Sequence, residues 1–80
     1  MSDETIKAYY SLSTDIWRFA KRQLESLQNT EEWWDETYKK ANELLKKHEQ
    51  ILNEDYIRQK INAEIKELSR LCKEKGGENG

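Results

Sequence analysis

The stretch NTEEWWDETYKK, residues 29–40, decides the fold of this chain. Asn29 and Thr30 have side-chain oxygens that can cap the N-terminus of a helix. Glu31 and Glu32 follow in the first turn, where the helix dipole favours acidic side chains. The apolar residues that come next have helical rather than strand spacing. Because this capping segment is short, the helix that follows it is expected to lie antiparallel to the one before it.

The same interpretation extends in both directions from this stretch. The chain has 80 residues without proline or valine, and its three glycines lie at positions 76, 77 and 80, so nothing earlier disfavours a helix. A second capping signal begins at Asn53. The sequence predicts one all-α domain, an antiparallel up-down-up three-helix bundle over residues 1–75. Its helices are expected at about 3–28, 31–52 and 54–75, before a disordered tail at 76–80.

Each predicted helix has one apolar stripe that is expected to face the core. On the first helix the stripe contains Ile6, Tyr9, Tyr10, Ile16, Trp17, Ala20, Leu24 and Leu27. On the second it contains Trp34, Tyr38, Ala41, Leu45, His48 and Leu52, with Trp33 at its edge. On the third it contains Ile57, Ile61, Ile65, Leu68, Leu71 and Cys72.

Several apolar side chains lie beside these stripes rather than within them. They are Leu12, Phe19, Trp33 and Tyr56. In one interpretation their bulk closes the seams of a wide core. In the other they form an exposed interface for a second copy or another protein, because aromatic side chains are the usual anchors of such interfaces. Arg18 and Arg22 would then supply the flanking charge.

Two polar residues fall inside the apolar stripes, and a structural role is favoured for both. His48 is predicted to be a core residue bonded to Tyr9 or Tyr10, since a general base needs a cleft that a short bundle rarely provides. Glu64 must find hydrogen-bond donors if it is buried, and the Trp17 indole or a nearby hydroxyl is expected to serve. A ligand-binding carboxylate is the alternative for Glu64.

The sequence contains no pattern that predicts catalysis, a cofactor or a metal site. It has no glycine-rich phosphate loop, no paired histidines on one helix face and no nucleophile with a base at a suitable spacing. Cys72 is the single cysteine, which excludes a disulfide or a cysteine-only zinc site within one chain. Its place on an apolar stripe predicts a buried, inert thiol. We therefore expect a protein that is not an enzyme.

The charge and hydropathy of the chain disfavour nucleic acid and membranes as partners. Charged residues make up 38% of the chain while the net charge is only −2, so general binding of nucleic acid is disfavoured. The acidic start of the second helix and the basic residues near Arg18 and Arg22 are expected at the same end of the bundle, where opposite charges would offset each other. No basic region with an apolar run starts the chain and no apolar stretch could span a bilayer, so a cytoplasmic protein is predicted.

The whole-chain pattern resembles small uncharacterised α-helical proteins of Firmicutes phages and mobile elements. The resemblance lies in Tyr9-Tyr10, in Asp15–Phe19, in Trp33-Trp34 with Tyr38, in Ala41–Leu44 and in Ile65–Leu68. It implies an accessory protein that acts by binding a host protein, and one such role is the inhibition of a host defence system, as by anti-CRISPR proteins. It maps no functional residue.

Together these observations predict a non-enzymatic protein-binding module whose partner is a host protein, a phage protein or a second copy. Two alternatives remain open. One is an oligomer that binds a small ligand such as a nucleotide signal, and the other is a small nucleic-acid-binding regulator.

Overall fold

The computed structural model describes the backbone of residues 2–77 and the side chains of residues 2–74. In this range the chain forms three α-helices, α1 (Asp3–Glu25), α2 (Glu31–His48) and α3 (Glu54–Gly77). Every pair of helices is in contact and no strand occurs in the described range, so the predicted three-helix bundle is confirmed. None of these described helices is apolar over a length that would cross a membrane.

Each helix begins at a side-chain cap. Ser2, Thr30 and Asn53 each accept a hydrogen bond from the backbone N–H three residues later, at 3.2, 3.1 and 2.9 Å. Each cap satisfies one of the backbone donors that a helix N-terminus leaves without an intrahelical partner. The helix starts predicted from the capping signals are therefore confirmed, with Thr30 rather than Asn29 at the start of α2.

The helix ends differ from the predicted ones by a few residues. α2 ends at His48 because the next residues close a turn, in which the Leu52 N–H donates to the His48 carbonyl at 3.0 Å. This turn returns Leu52 to the core, where it is buried. α3 continues through Gly77, since glycine lowers helix propensity without forbidding a helix. The predicted start of the tail at 76 is thus wrong, and residues 78–80 lie outside the described residues.

α1 packs with a different face from the predicted one. Its buried residues are Leu12, Ile16, Phe19, Ala20 and Gln23. Of the predicted stripe, only Ile16 and Ala20 are buried, whereas its large side chains at both ends of the helix are exposed. The prediction failed because α1 has two apolar stripes of similar spacing, about 100° apart around the helix. The buried stripe includes the polar Gln23, which concealed it in the sequence.

α2 and α3 pack closer to the prediction. The buried residues of α2 are Trp33, Thr37, Ala41, Leu45 and His48. Tyr38 was predicted within the core stripe and is instead 52% exposed. On α3, Ile57, Ile61, Leu68 and Cys72 are buried and Ile65 and Leu71 are partly buried, which confirms the predicted face.

The adjacent tryptophans exchange the roles predicted for them. Trp33 is buried and its indole N–H donates to Ser26 Oγ at 3.2 Å. Trp34 is half-buried, and its ring meets the Trp33 ring edge to face with centroids 4.8 Å apart. The Trp34 indole N–H donates to Asn29 Oδ1 at 3.1 Å. The pair therefore closes the end of the bundle where α1 turns into α2.

Candidate functional site

The interface predicted on Leu12, Phe19, Trp33 and Tyr56 is wrong. Leu12 is 1% exposed, and Phe19 and Trp33 are 7% and 8% exposed. Tyr56 is half-buried and packs edge to face on Tyr9, with ring centroids 5.4 Å apart. These side chains fill the seams of the core, as the first interpretation had it, so the chain has no exposed surface built on them.

The exposed apolar surface lies on the outer face of α1 instead. We define the outer stripe as Ile6, Tyr10, Trp17 and Leu24, whose exposed fractions are 54%, 74%, 61% and 42%. At about 100° per residue the four side chains fall within an arc of about 40°. They lie on a side of α1 that α2 and α3 leave exposed, since the arc is centred about 110° from the buried residues of this helix. These residues form one stripe, as predicted from their spacing, but their predicted place in the core is wrong.

A concave groove runs between α1 and α2. This groove has a volume of about 610 Å³. Its basic lining consists of Arg18, Lys21, Arg22, Lys40 and Lys47, and its acidic lining of Asp15, Glu25 and Glu43. Phe19 and Leu44 contribute apolar surface to it. The five cations outnumber the three carboxylates, so the groove is a basic region on a chain with a net charge of −2.

Arg18 and Arg22 are exposed at the rim of this groove. Among residues 2–74, neither guanidinium forms an ion pair with a carboxylate. The acidic residues at the start of α2 were predicted to offset the positive charge of these arginines, but they form no direct ion pair with them. Their guanidinium donors remain accessible to an anion.

Asp15 joins α1 to the end of α2 beside the same groove. Its Oδ2 accepts hydrogen bonds from His48 Nε2 and from Lys47 Nζ, each at 2.8 Å. Since an ionised carboxylate only accepts, Nε2 is the ring nitrogen that carries the proton. His48 is thus a buried polar core residue, as predicted, but its predicted partners Tyr9 and Tyr10 are wrong.

Two opposing effects act on the pKa of Asp15. Partial burial works to raise it, because the charged form is desolvated. The hydrogen bonds from Lys47 and His48 and the positive charge near them favour the charged form and outweigh burial. The pKa of Asp15 therefore lies below its ordinary value of 3.8. The carboxylate is charged at neutral pH and acts as a structural link.

A buried polar link between α1 and α2 was not predicted from the sequence. Gln23 Nε2 donates to Thr37 Oγ1 at 2.6 Å, and Thr37 Oγ1 donates to the Trp33 carbonyl at 2.8 Å. Gln23 is 2% exposed and Thr37 is fully buried. No described side chain leaves a buried polar atom without a partner. Since buried polar groups must be paired, the link fixes how α1 faces α2.

The remaining candidate residues do not form a site. Glu64 is half-buried, and its carboxyl group has no hydrogen bond or ion pair with another residue of the described range. Its predicted partner Trp17 is exposed, so the predicted polar link is wrong. Cys72 is buried, as predicted. Residues 2–74 contain no group of three or more His, Cys, Asp or Glu side chains that could hold a metal ion.

Comparisons with protein-family models, with curated proteins and with solved structures find no match to this chain. The outer stripe and the groove between α1 and α2 are therefore the features of this chain that bear on its function.

Proposed function

We propose that this chain is a non-enzymatic protein-binding module that contacts its partner through the outer face of α1. The observation that carries the proposal is the outer stripe. Two of its four side chains are aromatic, and Trp17 is 61% exposed in a chain whose other two tryptophans are buried or half-buried. Large exposed apolar patches of this kind mark interaction sites, and buried tryptophan and tyrosine dominate the binding energy of interfaces.

The surroundings of the stripe fit a protein partner. Lys7, Lys21 and Glu25 are exposed and lie along one flank of the stripe. An apolar centre with a charged border is the usual anatomy of a protein interface. The resemblance to phage and mobile-element proteins favours a host protein as the target, and the inhibition of a defence system such as CRISPR is one form of this role that stays a prediction.

Affinity capture tests the proposal. The immobilised protein is incubated with lysate of the host cell, and retained proteins are identified by mass spectrometry. The variant Tyr10→Ser plus Trp17→Ser removes the aromatic anchors. Tyr38→Ser is the matched control, because Tyr38 is 52% exposed on α2 and lies outside the stripe.

We expect one protein to be retained by the wild type and by the control and to be lost with the double variant. With that protein purified, the dissociation constant should rise by roughly 30-fold or more for Trp17→Ser, as is typical of an interface hot spot. Equal retention by all three proteins would contradict the role of the stripe.

A second candidate function is the binding of a small anionic ligand, such as a nucleotide, in the groove between α1 and α2. The accessible guanidinium groups of Arg18 and Arg22 favour it, since they match phosphate geometry. The groove volume of about 610 Å³ lies within the range of small-molecule sites.

Calorimetric titration with ATP, used as a probe, tests this second function. Binding that is lost in Arg18→Gln plus Arg22→Gln and kept in Trp17→Ser would support it. A single-stranded oligonucleotide serves as the second probe, and binding that weakens steeply with salt would instead indicate a nucleic-acid-binding regulator.

A further inference from the structure

We infer that the outer stripe also binds a second copy of this chain, with the two α1 helices packed antiparallel about a two-fold axis. This inference rests on the proposed function, because it names a partner for the same surface. Its evidence is the order of large, small and charged residues along the outer face of α1.

The outer stripe has the period of a helix-pairing seam. With the small, exposed Ser13 between its members, the seam runs Ile6, Tyr10, Ser13, Trp17, Leu24, while Ala20 is buried in the core and takes no part in it. The intervals are four, three, four and seven residues, and their average of about 3.5 residues per contact layer is the period at which two helices stay in contact along their length. From Ile6 to Leu24 the seam is about 27 Å long. α1 therefore offers a continuous line of contact to another helix.

The seam is complementary to itself in the antiparallel direction. When two copies are centred on residue 15, Trp17 lies opposite Ser13 of the second copy. Ile6 then lies opposite Leu24. The Trp17 ring meets the small, exposed Ser13, which leaves space for it as knobs-into-holes packing requires, and the two-fold symmetry makes this contact twice. In a parallel pair without offset the same rings would meet each other, Trp17 against Trp17 and Tyr10 against Tyr10.

The charges beside the seam favour the same orientation. Lys7 and Glu25 are exposed and lie on one flank of the seam, since they are 18 residues apart, which is five helical turns. A two-fold axis across antiparallel helices brings equal flanks together, so Lys7 lies near Glu25 of the second copy. Neither residue forms an ion pair with another described side chain. The dimer would supply two such pairs.

The area of the surface suits a dimer. The exposed parts of the four stripe side chains amount to roughly 500 Å² per copy, since a large aromatic side chain alone exposes about 150–250 Å². The flanking polar side chains would bring each copy near the roughly 800 Å² of a standard interface.

Sedimentation equilibrium tests the dimer, over protein concentrations from about 1 µM to 1 mM. We expect reversible dimerisation in which Trp17→Ser raises the dissociation constant by roughly 30-fold or more, while Tyr38→Ser leaves it unchanged. Circular dichroism confirms that each variant is folded. A wild-type chain that stays monomeric throughout, or a dimer that the two substitutions weaken equally, would overturn the inference.

Charge reversal tests the orientation. In the antiparallel dimer Lys7→Glu places like charges together twice and should weaken association by about 10-fold at low salt. The double variant Lys7→Glu plus Glu25→Lys should restore it. A double variant weaker than Lys7→Glu alone would contradict the antiparallel arrangement.

The capture experiment separates this inference from the proposed function. If the chain is monomeric but retains a host protein through Tyr10 and Trp17, the dimer is contradicted and the proposed function is supported. A dimer whose stripe variants retain host proteins as the wild type does would support the inference and contradict the proposed function.

Discussion

Replacement of Asp15 by asparagine is expected to destabilise the bundle at neutral pH. Asp15 Oδ2 lies 2.8 Å from both His48 Nε2 and Lys47 Nζ. Asparagine has nearly the same shape but no charge, and one of its two terminal atoms cannot accept a hydrogen bond. The substitution therefore removes the charge-assisted bonds between α1 and the end of α2 without creating a cavity.

The two bonds contribute unequally. Lys47 has a 62% exposed side chain, so solvent screens its ion pair, which is worth about 0–1 kcal/mol. His48 has a 7% exposed side chain, and a hydrogen bond between it and a charged carboxylate is worth about 1.5–3 kcal/mol. The expected loss in the free energy of unfolding is about 2–3 kcal/mol at pH 7. This is a large share of the roughly 5 kcal/mol available to so small a domain.

The same contact makes this loss depend on pH. The pKa of Asp15 in the folded chain lies below its ordinary value of 3.8, so the unfolded chain takes up the proton first as the pH falls. The stabilisation is complete above the unfolded pKa and disappears as the pH falls through the folded pKa. The difference between wild type and Asp15→Asn should therefore shrink in acid.

Urea unfolding followed by circular dichroism measures this difference between pH 7 and about pH 2. Glu43→Gln is the matched control, because Glu43 is an exposed carboxylate in the same groove. The control should change the urea midpoint little at any pH. The reasoning is refuted if Asp15→Asn unfolds at the wild-type midpoint at pH 7, or if its loss is as large in acid as at neutral pH.

Three further substitutions test the packing by the same unfolding measurement. Phe19→Ser should lower the free energy of unfolding by at least about 3 kcal/mol because Phe19 is buried. Trp17→Ser should change it by less than about 0.5 kcal/mol because Trp17 is exposed. Equal losses would contradict the observed packing face of α1. Thr37→Val should cost about 1–3 kcal/mol because it leaves the Gln23 amide buried without its partner, and a neutral result would mean that water reaches the amide. Thr30→Ala should cost about 1 kcal/mol by removing the cap of α2, with Thr14→Ala as a partly exposed control that caps no helix.

The helix count, the starts of the helices and the packing face of α3 could be predicted from the sequence. These features depend on local chemistry. Capping side chains such as Thr30 and Asn53 mark where a helix begins, and the isoleucines and leucines of α3 form only one stripe. Gly76 and Gly77 were misread because a glycine pair permits a helix end without imposing it.

The packing face of α1 could not be predicted, and the candidate site was misplaced with it. The spacing of apolar residues does not show which of the two stripes of α1 faces the core. The stripe with Tyr10 and Trp17 has more aromatic surface, so it was predicted to be the buried one. The choice between them is made by contacts with α2 that connect residues far apart in sequence, namely Asp15 with His48 and Gln23 with Thr37. A buried glutamine gives no signal until its partner is known.

The two polar contacts between α1 and α2 select one rotation of α1 about its own axis. Rotation of α1 by about 100° would turn the outer stripe toward α2 and α3. If apolar contacts alone held the bundle together, the two orientations of α1 would therefore have nearly the same free energy. Only one rotation brings the Gln23 amide to the Thr37 hydroxyl and the Asp15 carboxylate to His48, and any other rotation leaves the buried Thr37 and His48 side chains without these partners. Replacement of Gln23 and Thr37 by aliphatic residues should therefore allow more than one packing arrangement of α1, even where the chain stays helical and compact.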